Sequence, residues 1–343
     1  MRKFLISSVA ALLLSIPAMA SAQDFDRGYA AYQAGDYQAA LQEWMPLAEQ
    51  GHPEAQHILG LLYKNGRPGV AQDYATAAKW FRLAAEQGVS ESQYWLARMY
   101  YVGLGVERDH AVSAKWFRLA AEQGVPEAQD KLAGLYRDGL GVPQDYAVAA
   151  EWYRLAAEQG VAAAQESLGK MYYLGEGIAQ DYAAAHKLFR LAANQGNEDS
   201  FLMLGLMYYV GRGVPQDYTV AANWFRRAAE QGDARGQAAL GRMYYGGHGV
   251  LQDYSTAAKL FRLAAEQGDA EAQYNLGVSY AAGHGVPKDY VSAHMWLNIS
   301  AANGYADASP MRGTIAAAML DPDIAKAQER AKVCLDANYQ SCG

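Results

Sequence analysis

The amino-acid sequence predicts an all-α fold, a right-handed α-solenoid of about seven helix-turn-helix units, each 36 residues long. The tripeptide Glu-Gln-Gly recurs at this spacing, with copies that end at Gly88, Gly124, Gly160, Gly232 and Gly268. An aspartate recurs at the same spacing and marks the seven units: Asp73, Asp109, Asp145, Asp181, Asp217, Asp253 and Asp289. A fixed period of about 20 to 50 residues is typical of repeat proteins, whose units bury their apolar faces by stacking on neighbours. We therefore expect one elongated domain.

Residues 126–160 show the unit most clearly. Pro126 begins a segment with apolar residues at helical spacing, and Gly139 ends it; we name this segment helix A. After a short glycine-containing turn, Asp145 can cap a second helix, helix B, which ends at Gly160. Small residues recur on helix A where the two helices must cross closely: Gly60, Ala97, Ala133, Gly169, Gly205, Gly241 and Gly277. The Trp-aromatic pairs of helix B are predicted to pack between repeats.

The whole unit resembles the Sel1-like repeat, a relative of the tetratricopeptide repeat with a slightly longer turn between its helices. The resemblance covers roughly residues 51–304 and depends on the full pattern recurring seven times. It implies an adaptor protein, whose curved solenoid binds proteins or peptides on its concave face. Several exported bacterial members are similar to envelope regulators, assembly factors or host-binding proteins, so the resemblance implies a scaffold of the bacterial cell envelope.

The N-terminus has the pattern of a cleaved secretory signal. Arg2 and Lys3 precede an apolar run from Phe4 to Ile16, and small residues at 18–22 offer a cleavage site. The run has 13 residues, fewer than the about 20 that span a bilayer. No later stretch reaches that length. We expect a protein without a transmembrane segment, located in the periplasm or secreted.

The chain ends are predicted to cap the solenoid. We divide the chain into a signal peptide (1–22), a tetratricopeptide-like capping hairpin (23–51), seven repeats (52–304) and a C-terminal cap (305–343). Residues 306–320 and 324–337 are predicted to form the two closing helices. Cys334 and Cys342 follow at the C-terminus; export favours a disulfide between them, and an unpaired or exchangeable pair is the alternative.

Charge and composition exclude some partners. The formal net charge is -7, and loss of the signal segment, which carries two basic residues, makes it more negative. Nucleic acid and anionic membranes demand a basic surface, so we expect neither as the main partner.

No cofactor motif and no metal site is predicted. His248 and His284 share one turn position but are interpreted as solvated, since too few ligands converge there. His186 and His294 replace an alanine of helix B and are expected at edges. We expect a monomer.

Candidate partner-binding residues are those helix-A positions that vary from repeat to repeat. The leucine column of Leu59, Leu96, Leu132, Leu168, Leu204, Leu240 and Leu276 never changes, which indicates packing. Neighbouring columns vary and are rich in tyrosine and arginine, the residues that most often carry binding energy at interfaces. The predicted groove consists of Tyr94, Arg98, Tyr101, Arg137, Lys170, Tyr173, Leu202, Leu206, Tyr209, Arg242, Tyr245 and Tyr274.

Four of these residues, Tyr101, Tyr173, Tyr209 and Tyr245, occupy one column, and we call them the ladder tyrosines. They are interpreted either as contacts for a partner or as half-buried side chains that pack on the adjacent turn. Leu202, Leu206, Tyr209 and Val210 are expected to form an exposed apolar patch, which usually indicates a partner.

An enzyme is a weaker alternative. Some relatives have been described as penicillin-binding or β-lactamase-like, and Ser167 and Lys170 match a Ser-x-x-Lys motif. Neither Ser-Asp-Asn nor Lys-Thr-Gly occurs, so no catalytic residue is predicted. Two functional alternatives to an envelope scaffold therefore stay open: a cell-wall-active hydrolase and a secreted protein that binds a host factor.

Overall fold

The computed structural model describes residues 16–339 and Cys342, and this part of the chain contains eighteen α-helices. The N-terminal pair is α1 (Ile16–Gln33) and α2 (Tyr37–Glu49). The first helices of the seven repeats, helices A, are α3 (Pro53–Asn65), α5 (Ser90–Val102), α7 (Pro126–Asp138), α9 (Ala162–Leu174), α11 (Glu198–Val210), α13 (Ala234–Gly246) and α15 (Ala270–Ala282). Helices B are α4 (Tyr74–Glu86), α6 (His110–Glu122), α8 (Tyr146–Glu158), α10 (Tyr182–Asn194), α12 (Tyr218–Glu230), α14 (Tyr254–Ala265) and α16 (Tyr290–Ala302). The chain closes with α17 (Ala308–Ala316) and α18 (Asp321–Asp336).

The predicted all-α solenoid of paired helices is confirmed. The chain divides into two compact units. The first extends to Ala164 and includes Glu176–Ile178, and the second consists of Gln165–Gly175 and the residues from Ala179 onward. Residues 1–15 of the predicted signal segment lie outside the described residues, while 16–22 belong to α1. Cleavage of this segment stays a prediction.

Aspartate and glycine set the ends of the helices, as the sequence predicts. Asp145 accepts hydrogen bonds from the backbone N–H groups of Ala147 and Val148, both at 3.0 Å, and so caps α8. Gly139 follows α7 in the left-handed conformation, with φ +67°. Such caps satisfy backbone groups that a helix end otherwise leaves without partners.

The core of most repeats is an aromatic ring of helix B set against a small residue of helix A, and Leu297 replaces the ring in the seventh repeat. In the second unit a Cβ atom on Gly205 would lie 2.4 Å from the Phe225 ring, and one on Gly241 would lie 2.7 Å from Phe261. Both rings are buried. The predicted close helix crossing is therefore confirmed at these positions, where a larger residue would push the helices apart.

The Glu-Gln-Gly tripeptide also joins the end of helix B to helix A of the same repeat, and the buried glutamine of that helix A donates in turn to the preceding repeat. Its glutamine donates a hydrogen bond to a buried glutamine of the preceding helix A, for example Gln123 Nε2 to Gln93 Oε1 at 2.8 Å. Gln93 in turn donates to the carbonyl oxygen of Ala85 at 3.1 Å. The same pair recurs as Gln87–Gln56, Gln159–Gln129, Gln195–Gln165 and Gln267–Gln237. A buried amide needs such partners because an unsatisfied one costs about 1–3 kcal/mol.

The C-terminal cap agrees with the prediction in its number of helices but differs in their bounds. Helix α18 begins at Asp321, three residues before the predicted start, and contains Pro322 in its first turn. Proline fits there because the first N–H groups of a helix have no intrahelical partner. Cys334 and Cys342 are both buried, with sulfur atoms at bonding distance and Cα atoms 4.7 Å apart.

His294 is buried in this cap, so its expected edge position is wrong. The alanines at the same position of helix B in other repeats, such as Ala222 and Ala258, are buried as well, so this column faces the interior of each repeat. Burial, with a smaller effect of the Arg312 charge, lowers the pKa of His294 below its usual value near 6.5. His186 is half-buried, and its Nε2 lies 3.2 Å from the Tyr208 hydroxyl.

We predict that His294 contributes to acid sensitivity. Above the unfolded pKa near 6.5 both states are neutral; as the pH falls below it, only the unfolded state gains a proton, so stability decreases. His294→Ala is expected to reduce the fall in thermal midpoint between pH 7 and pH 5. Circular dichroism melts of both proteins across this range measure it. An unchanged pH dependence in the variant would contradict the assignment.

Within residues 16–339 no helix is both long and apolar enough to span a membrane.

Candidate functional site

The ladder tyrosines lie at the C-terminal ends of helices A and pack against the start of the following helix B. Each ring contacts the first helix-B residue of its own repeat. The centroid distances are 5.1 Å for Tyr101–His110, 5.2 Å for Tyr173–Tyr182, 5.2 Å for Tyr209–Tyr218 and 5.0 Å for Tyr245–Tyr254. All but Tyr101 are half-buried. The ladder tyrosines thus form an aromatic row beside the turns, and part of each ring packs against helix B.

In the second unit the next turn closes over each tyrosine pair. The residue between the two turn glycines performs this role in three successive repeats: Arg212, His248 and His284. Arg212 donates to the Tyr173 hydroxyl at 2.8 Å, and this hydrogen bond raises the pKa of its guanidinium. The His284 ring stacks on Tyr254 at 4.3 Å.

The expectation that the two turn histidines are merely solvated is therefore wrong. His284 Nδ1 lies 2.8 Å from the Tyr245 hydroxyl, and His248 stacks on Tyr218 at 5.2 Å. Both join neighbouring repeats. Burial, and to a smaller extent the charge of the nearby Tyr254, raises the pKa of Tyr245. Among the described residues no group of three or more His, Cys, Asp or Glu side chains is placed to hold a metal ion.

These contacts support the packing interpretation for Tyr173 and Tyr245, because partners within the protein occupy their hydroxyl groups. Tyr101 retains an exposed ring.

Leu202 does not form part of an exposed patch: it is 8% exposed and belongs to an apolar core cluster that includes Phe225 and Leu240. Other members of its column, Asp130, Glu166 and Ala238, are buried as well. In these four repeats the column is buried, whereas His57, Tyr94 and Tyr274 of the same column are half-buried. Leu206 is half-buried against the same cluster as Leu202.

Exposed apolar side chains occupy a different column, one residue after the ladder tyrosines. Val102, Leu174 and Val210 are the last residues of their helices and are 56%, 57% and 51% exposed. Val102 and Leu174 are not among the residues predicted from the sequence. Their apolar character at a helix end, where Asn65 and Asp138 occur in other repeats, is the signal that could have identified them.

Most charged side chains on helices A of the second unit have partners. Lys170 pairs with Glu166, and Arg242 pairs with Glu271. Arg235 Nη2 lies 2.8 Å from Asp233 and 2.6 Å from Asp199, and both hydrogen bonds raise the pKa of its guanidinium. The Tyr274 ring packs on Tyr305, with centroids 5.0 Å apart.

Serine and lysine of the Ser-x-x-Lys motif lie on α9. Ser167 is half-buried, and the ammonium group of Lys170 is engaged by Glu166. The motif therefore lacks a free base beside its serine, which nucleophilic catalysis would need.

In the first unit the predicted residues surround Trp95. Tyr94 meets this indole edge-on at 5.3 Å and also packs on Phe117. Arg98 is exposed, with its guanidinium carbon 4.8 Å from the Trp95 ring centroid. Arg137 pairs instead with the adjacent Asp138 at 2.7 Å.

Comparison with known families identifies the repeats. The model of the Sel1 repeat matches residues 53–89, 90–125, 126–161, 162–197, 202–233, 234–269 and 270–305. The chain belongs to the Sel1 repeat family. Its repeats coincide with the seven pairs of helices A and B.

Two solved structures are similar to this Sel1 repeat protein. A protective antigen of uropathogenic Escherichia coli, which displays an SLR fold, is 28% identical over 97% of this chain and 96% of its own, with a TM-score of 0.58. A Sel1 repeat protein from Oxalobacter formigenes is 29% identical over 71% of this chain and 96% of its own, with a TM-score of 0.64. Among curated proteins, none matches the chain. Sel1 repeat proteins are generally protein-interaction scaffolds, as the resemblance implied.

Proposed function

We propose that this Sel1 repeat protein is an exported scaffold of the bacterial cell envelope that binds a protein or peptide through its helix-A surface. The observation that carries the proposal is the pair of exposed apolar side chains in the second unit, Leu174 and Val210, each next to a ladder tyrosine. Apolar side chains grouped on a surface of repeat-specific residues favour a protein partner. The signal pattern of residues 1–22 supports export.

The proposed role of the chain is recognition of a protein or peptide, not catalysis. The ladder tyrosines and their turn residues hold helix ends in fixed positions, so the adjoining apolar side chains are presented with little freedom to lose on binding. Such preorganisation lowers the entropy cost of association.

We predict that Leu174→Ser combined with Val210→Ser abolishes capture of the partner from an envelope extract. Both side chains are half-exposed, so the free energy of unfolding should change by no more than about 0.5 kcal/mol per site. Leu191→Ser with Leu263→Ser is the matched control, because these leucines are similarly exposed but lie on helices B. Equal capture by both double variants, or loss only in the control, would refute the role of helices A.

A further inference from the structure

Two cationic side chains in the first unit share one aromatic ring. Lys64 Nζ lies 3.5 Å from the Trp95 ring centroid, and the Arg98 guanidinium carbon lies 4.8 Å from it. The indole face attracts cations and so holds both side chains in place. Burial, together with the Arg98 charge, lowers the pKa of the Lys64 ammonium group.

Neither cation is neutralised by the protein. Among the side chains of residues 25–339, no carboxylate lies within ion-pairing distance of Lys64 or Arg98. Other helix-A cations have a carboxylate partner: Lys131 with Asp130, Arg137 with Asp138, Lys170 with Glu166, Arg235 with Asp199 and Arg242 with Glu271. On the described helices A, Lys64 and Arg98 are the cations without such a partner, and their complement is a negative group from outside.

The cations border a cavity with an apolar wall. The cavity has a volume of about 280 Å³, and Met99, Val102 and Leu104 line it together with Lys64 and Arg98. A second cavity of about 190 Å³ lies beside it and shares Asn65. The second cavity is mainly apolar and is lined in part by Tyr29, Tyr32, Ile58 and Leu61. A cavity bordered by two cations and a mainly apolar cavity are therefore adjacent.

We infer that the helix-A surface of the first unit binds a peptide segment in which an aspartate or glutamate side chain lies between Lys64 and Arg98. An apolar side chain close to it in the same segment occupies the adjacent cavity. The guanidinium of Arg98 supplies paired donors to the carboxylate, and Lys64 supplies a point charge. This inference rests on the proposed scaffold function and adds the chemistry of the partner.

The test is a titration followed by the indole N–H signal of Trp95 in NMR spectra, identified by its loss in Trp95→Phe. The probes are the blocked peptide acetyl-Leu-Ala-Glu-Ala-Leu-amide, the same peptide with glutamine at the centre, and sodium phosphate. We expect the glutamate peptide to bind at least about ten-fold more tightly than the glutamine peptide, because it alone forms charge-assisted hydrogen bonds. Its affinity should decrease as salt increases.

Variants assign the effect to the two cations. Lys64→Ala with Arg98→Ala should abolish the difference between the two peptides, whereas Lys64→Arg with Arg98→Lys should retain most of it. Lys79→Ala with Lys115→Ala removes the same charge from exposed helix-B positions and should change nothing. Thermal melts confirm that each variant is folded.

Equal binding of the glutamate and glutamine peptides, or of phosphate and the glutamate peptide, would overturn the inference. The scaffold function is tested separately, since the variant with Leu174→Ser and Val210→Ser changes only the second unit and leaves Lys64 and Arg98 in place.

Discussion

Phe225→Ala is expected to lower the free energy of unfolding by about 3–5 kcal/mol, the usual cost of truncating a fully buried aromatic residue. Phe225 is 1% exposed, and its ring packs against Gly205, which has no side chain to fill the space. The cavity cannot collapse easily because the two helices already cross closely. Urea unfolding followed by circular dichroism measures the loss.

Leu263→Ala provides the matched control for this truncation. Leu263 also lies on a helix B, but it is 50% exposed, so its truncation should cost less than about 1 kcal/mol. Tryptophan fluorescence should be recorded with circular dichroism, because coincident transitions justify a single free energy for a repeat protein. A loss below about 1 kcal/mol for Phe225→Ala would show that the helix crossing is not the core of the repeat.

Gly249→Ala is expected to destabilise the second unit by about 2–5 kcal/mol, for two physical reasons. Gly249 has φ +66°, where an alanine costs about 1–2 kcal/mol. A Cβ atom there would also lie 2.2 Å from the carbonyl carbon of Tyr218 in the preceding repeat. Backbone must therefore move, which adds about 1–3 kcal/mol.

Gly232→Ala separates the two contributions. Gly232 has φ +89°, but no atom lies within 4 Å of the position that a Cβ would occupy. It should therefore show only the conformational cost of about 1–2 kcal/mol. Equal losses for the two variants in urea unfolding would mean that close contact between repeats at Gly249 is unimportant for stability.

The repeat pattern was sufficient to predict helices, caps and core because these features depend on contacts that recur in every unit. Asp145 caps its helix, and Gly139 ends the one before it, through interactions within a few residues of the chain. The Phe225–Gly205 contact recurs with the same period. Sequence periodicity therefore reports it directly.

The candidate site could be predicted only in part, because exposure depends on contacts between repeats. The column of Leu202 varies between repeats, as recognition residues would, but Leu202 itself is buried in an apolar cluster with Phe225 and Leu240. The roles of His248 and His284 depend on tyrosines 30 or more residues earlier in the chain. Lys64 is not among the site residues predicted from the sequence, because the lack of a carboxylate near its ammonium group is visible only in three dimensions.

Hydrogen–deuterium exchange with and without the captured partner tests most directly whether helices A form the binding surface. We predict that the partner slows exchange in peptides from α9 and α11, which carry Leu174 and Val210, and leaves α10 and α12 nearly unchanged. Protection confined to α10 and α12, or no protection at all in α9 and α11, would contradict the proposed function.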